Sequence, residues 1–174
     1  MIIELTLVGL IIRYFKDKNF KFINNFNLKN VYFLFIIVIA KLLVKNFFSI
    51  EFLSNNYYLI DSIFLFLLSI FFFLNGKRLY ICGLGTLLNS LVIFLNKKMP
   101  ISEKFAHLVM NYDKYEMIKS GKILSHGFID NAKLKFLSDI IPIPMPYIYP
   151  RLISIGDILI SIGLFIYILS SKEN

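Results

Sequence analysis

Cysteine, histidine and polar runs are scarce in this chain, and each scarcity closes off a class of function. The one cysteine, Cys82, lies inside an apolar run. No intrachain disulfide is open to it, and without a second thiol or a flanking base it reads as a small packing residue rather than a nucleophile. The two histidines, His107 and His126, stand too far apart to act as a helical ligand pair, so neither a metal nor a cofactor is expected. There is no phosphate loop, no dinucleotide fingerprint and no nucleophile–base motif. The opening segment, Met1 to Ile12, carries an acid at Glu4 and lacks a basic n-region and a small-residue cleavage site; it is expected to be retained.

Apolar residues are what the chain has in excess. They make up 57% of 174 residues, against about 45–50% in soluble domains, and the mean hydropathy is +0.71. The excess sits in long runs, the mark of membrane spans. The net charge of +8 comes from basic residues interrupted by those runs rather than gathered on one surface. They therefore read as lysines facing lipid headgroups, not as a nucleic-acid interface. The frequency of Ile, Asn, Lys, Phe and Tyr points to an AT-rich, bacterial genome.

A span needs about 20 mostly apolar residues. Five runs approach this: residues 1–15, 31–50, 57–74, 79–95 and 152–169. The first is short and ends in Arg13, Lys16, Lys18 and Lys21, so it reads either as a span or as an interfacial helix. The fold expected is one all-α integral membrane domain over residues 1–174, a polytopic bundle of about five transmembrane helices. Residues 51–56 read as a short link and Gly76-Lys77-Arg78 as a tight basic turn. One long extramembrane loop, residues 96–151, remains. Within it Ser102 to Lys119 reads as an amphipathic helix, with Phe105, Leu108, Val109 and Tyr112 on one face, Ser102 capping its start and Gly121 ending it. Packing over the spans is favoured for it over lying on the membrane surface. The alternating prolines of Ile140 to Pro150 predict an extended path. The density of basic residues favours an outside N-terminus, an outside long loop and a cytoplasmic C-terminal tail in the cell membrane.

Ionisable residues inside spans cost ~2.5–3.5 kcal/mol on insertion scales and usually face partners. Lys41, Lys45, Asp61 and Asp157 are the candidates here. Counting rise per residue from the span ends puts Asp61, Asp157 and Asn89 in the outer half of the bilayer, with Lys45 close by. Two carboxylates sharing a proton activate water, which makes Asp157 and Asp61 the candidate catalytic pair. The alternative is a Lys–Asp pair with wetted helix ends, and Asn89, Lys45 and Lys41 are the candidate binding residues. Gly83, Gly85 and Ser90, with Gly156 and Gly163, predict close packing of the fourth and fifth spans.

Two pairs of stretches resemble known families. Gly85 to Ile93 with Asn96 to Ile101, and Leu137 to Pro142 with Ser154 to Ile160, resemble a family of bacterial membrane proteins, the domain of unknown function numbered 5317. The resemblance covers nearly the whole chain and implies a multi-pass membrane protein with no established activity. That family carries glycines after the position of Asn96, where this chain has Lys97 and Lys98. More faintly, Gly85 to Asn89 and Ile155-Gly156-Asp157 with Gly163 are similar to the lipoprotein signal peptidase family. That likeness implies a catalytic role for Asp157, but Val92 stands where the second aspartate belongs.

Three functions follow. The first is a non-enzymatic membrane protein, structural or accessory, with the bilayer and a membrane protein as partners and no nucleic acid. The second is a membrane-embedded hydrolase using Asp157 with Asp61. The third is a small transporter or binding protein using the polar cluster.

Overall fold

The computed structural model describes residues 2–18, 28 and 30–170. Lys21, the last residue of the basic cluster that follows the first run, lies outside the described residues. Every apolar run becomes a helix: α1 (Ile2–Asp17), α2 (Val31–Phe47), α3 (Ile50–Leu74), α4 (Tyr80–Asn96) and α7 (Ile155–Ser170). Between α4 and α7 lie two short helices, α5 (Glu103–Ala106) and α6 (Tyr112–Lys119). Four three-residue strands are interspersed with them: β1 (Met99–Ile101), β2 (His126–Phe128), β3 (Ile141–Ile143) and β4 (Arg151–Ile153). The chain is thus mostly helical but not all-α. Two helical stretches, Ile50–Leu74 and Lys77–Asn96, are long and apolar enough to cross a membrane.

The long helices pack in the order α1, α7, α4, α3, α2. Close approach of α4 and α7 rests on glycine. A Cβ at Gly85 would meet the Gly156 carbonyl at 2.5 Å, and one at Gly163 would meet Cys82 Sγ at 2.5 Å. The expected seam is therefore there, but Gly83 and Ser90 face the other way. Gly83 lies against Phe73 of α3, and Ser90 Oγ donates to the Ser62 carbonyl at 2.7 Å. On the far side Gly9 of α1 admits Phe165 and Ile168. Arg13, 5% exposed, donates to the Leu169 carbonyl at 3.0 Å and pairs with Asp17 at 2.6 Å. A guanidinium at a helix C-terminus satisfies orphan carbonyls and opposes the negative dipole end.

Three local expectations are corrected. Residues 51–56 are not a link but the first turns of α3: Ser49 Oγ accepts from the Phe52 N–H, and Ser54 and Asn56 bond back to helix carbonyls. The Ser102–Lys119 helix is broken in two, because Asn111 caps a new start by accepting from the Lys114 N–H at 3.0 Å. Of its expected face, Val109 is buried while Leu108 and Tyr112 are exposed. The last helix begins at Ile155, since Leu152 and Ile153 belong to β4, which pairs antiparallel with β3 of the extended proline segment. Finally, Lys97 adopts φ +63°, a left-handed turn ending α4. A lysine thus holds the left-handed position at which the resemblance implied glycine.

The connecting segment has its own core of Ile101, Ala106, Val109, Ile118 and Leu152. A second core of Val92, Ile93, Met99 and Leu137 fastens it to α4. Asn96 adds a clamp, accepting from the Lys133 N–H at 2.8 Å and donating to its carbonyl at 3.0 Å.

Candidate functional site

Asp157 sits in the first turn of α7, where Ser154 precedes it by three residues. Ser154 Oγ accepts from the Asp157 N–H at 3.0 Å, and Asp157 Oδ2 accepts from the Ser154 N–H at 3.2 Å. This reciprocal pair is a capping box with Asp in the usual Glu place. The other oxygen, Oδ1, accepts from Asn89 Nδ2 at 2.9 Å, and Asn89 Oδ1 accepts from Ser154 Oγ at 3.0 Å. Asn89, Ser154 and Asp157 thus form a closed ring across the α4–α7 seam, and both carboxylate oxygens are occupied.

Asp61 of α3 is held by Lys41 of α2 at 2.7 Å, and the same ammonium lies 5.7 Å from the Phe64 ring centre. Lys41 is therefore a partner of Asp61. Lys45 lies in α2, and its side chain is outside what the structure describes. Asp61, Asn89 and Asp157 nevertheless open on one cavity of about 150 Å³, lined also by Leu65, Ile93, Met99, Ser125, His126 and Asp139.

Those last three residues escape a reading by sequence position. Asp139 is placed by backbone bonds to β1: its N–H donates to the Pro100 carbonyl, and its carbonyl accepts from the Ser102 N–H. His126 begins β2, in parallel register with Met99. Its Nε2 lies 3.5 Å from Asp139 Oδ2, and its Nδ1 lies 2.6 Å from Ser125 Oγ. Asp139 is 6% exposed, and Oδ1 has no hydrogen-bond partner among the described residues. Burial pushes its carboxyl above the ordinary range; His126 and Lys114 pull it back and Asp157 raises it further. The available signal was Asp139 itself, a lone acid inside the apolar stretch Leu137 to Pro142.

Ser125, His126 and Asp139 have the residue types of a nucleophilic relay. The surroundings oppose that use, because three carboxylates around one cavity repel the oxyanion that acyl transfer must stabilise. His107 is elsewhere, against the Tyr115 ring at 4.6 Å. Cys82 is buried on the α4–α7 seam. Val92, where the peptidase likeness lacks its second aspartate, is fully buried in the core.

Neither a curated protein nor a solved structure matches the chain. The model of a family of unknown function, DUF5317, matches residues 25–169. With the match spanning α2 to α7 and every residue of the cavity just described, the chain belongs to the DUF5317 family.

Proposed function

We propose that this chain is a multi-pass integral membrane protein with a structural or accessory role, crossing the bilayer with α1, α2, α3, α4 and α7. The apolar surface of the helices carries the reading. Ile3 and Ile11 of α1, Phe35 and Ile36 of α2, Phe66 of α3 and Phe94 of α4 are each about half exposed or more. In water every such side chain forfeits most of ~1.5–3 kcal/mol of burial, and a monomer rarely leaves so much contiguous apolar area uncovered. In a bilayer the same surface meets acyl chains at no cost.

The hydrolase alternative needs a carboxylate free to carry a proton at the reacting centre. Asp61 is tied to Lys41, and both oxygens of Asp157 are filled. That arrangement supports helix packing rather than chemistry for these two acids.

Alkaline carbonate extraction tests membrane insertion. The protein is expected to stay in the membrane pellet, and single cysteines at Phe35 and Phe66 in a Cys82→Ser background are expected to resist a membrane-impermeant maleimide. Release into the supernatant, with both positions labelled, would overturn the reading.

A further inference from the structure

The cavity at Asp139 contains a contradiction that a ligand resolves. A carboxylate nine-tenths buried turns one oxygen, Oδ1, toward no donor among the described residues. Leaving a charged acceptor unsatisfied costs more than a neutral one. The space beside it is real: the cavity of about 150 Å³ adjoins one of about 400 Å³ that shares His126, Asp139 and Asp157 and extends to Ile2, Ile3 and Arg151.

We propose that this cavity binds a primary ammonium group, with the Asp139 carboxylate accepting one of its N–H bonds and Asp157 adding negative potential. The lining selects this chemistry. An anion is repelled by the carboxylates of Asp139 and Asp157, while that of Asp61 is already paired with Lys41. A metal ion lacks its ligands, since no group of three or more His, Cys, Asp or Glu side chains suited to one occurs among the described residues. A quaternary ammonium is recognised by aromatic faces, and the smaller cavity has no Phe, Tyr or Trp in its wall. A primary ammonium is compact and offers three donors. It fits a wall that also includes Ser125, with Leu65, Ile93 and Met99 beside the two methylenes that carry the ammonium in ethanolamine.

The ammonium has two sources, the headgroup of an aminolipid or a free amine. Purified protein in phosphatidylcholine nanodiscs doped with phosphatidylethanolamine, read by native mass spectrometry, tests the first. Ethanolamine titrated against choline in pure phosphatidylcholine discs tests the second. The lipid arm rests on the membrane reading above and the free-amine arm does not, so failure at the extraction step and failure here are distinguishable. At least tenfold preference for the N–H-bearing partner in either arm, falling about tenfold in Asp139→Asn, supports the proposal and names the source. No preference in either arm overturns it, as does a preference that Asp139→Asn leaves intact.

Should Asp139→Asn not fold, the pH dependence of the unaltered protein decides. Asp139 is faced by His126, Lys114 and Asp157, and Asp61 and Arg151 line the same space. Protonating Asp139 removes the acceptor, and a proton on His126 acts in the same direction. The preference must therefore decline as pH falls from 7 to 4; a constant preference overturns the proposal.

Discussion

Gly156→Ala is the sharpest test of how the α4–α7 seam holds the site. A Cβ built there would overlap Asn89 Oδ1, lie 2.6 Å from Asn89 Cγ and sit 2.7 Å from the Gly85 carbonyl oxygen. The carbonyl belongs to a helix and cannot swing aside. The amide can turn away only by giving up its bonds to Asp157 and Ser154. Two hydrogen bonds are worth about 2 kcal/mol together, and overpacking a close contact adds about 1–3 kcal/mol. The expected loss is about 4 kcal/mol, or about 8–16 °C of melting temperature for a chain of this size. Thermal unfolding in a mild detergent, followed by near-UV circular dichroism, reads it. Gly121→Ala is the control: nothing lies within 4 Å of its Cβ, and only the φ of +74° is strained, costing about 1–2 kcal/mol. Adding Asn89→Ala to Gly156→Ala should cost less than the two changes separately, because the hydrogen bonds can be lost only once. If Gly156→Ala melts with or above Gly121→Ala, or the two seam changes add, the close-packed hydrogen-bonded seam is wrong.

Two further outcomes follow from single residues. Asp139 has a folded-state pKa raised above the ordinary 3.8, so the folded chain holds this proton more tightly than the unfolded one. Its effect on stability is therefore absent below the ordinary value and becomes a loss as pH rises through the raised one. Melting curves against pH should show Asp139→Asn gaining on the unaltered chain across that window, and parallel curves would refute the assignment. Lys97→Gly should stabilise by about 1 kcal/mol in chemical denaturation, because it relieves a left-handed lysine at the end of α4; a destabilised variant would show that the lysine side chain matters more than its backbone.

The helices were legible because long apolar runs leave the chain no alternative. Their starts were not. Glu51, Ser54, Asn55 and Asn56 look like a link, yet a serine cap and side-chain bonds to carbonyls make the same polar residues helical. Counting rise per residue put Lys45 near the level of Asp61, and the bond that the structure shows to Asp61 comes from Lys41, one turn earlier. Three-residue strands are too short to show alternation, so the pairing of Met99–Ile101 with His126–Phe128 had no signature. It is this pairing that carries His126 to Asp139. The convergence of Asp61, Asn89 and Asp157 on one cavity followed from counting rise per residue. The capping box beneath Asp157 was visible as Ser154 and Asp157 three apart, a spacing whose plain meaning is a helix start.

Arg13 and Leu169 are 156 residues apart in the chain, and that separation has a consequence for biogenesis. At about 5–20 residues per second of synthesis, α1 waits on the order of ten seconds before the helix whose carbonyl accepts from its arginine has been made. Throughout that interval a guanidinium destined for burial has Asp17, one turn along the same helix, to hold it. α1 therefore settles only after α7 has been made, and its packing is completed at the α1–α7 seam.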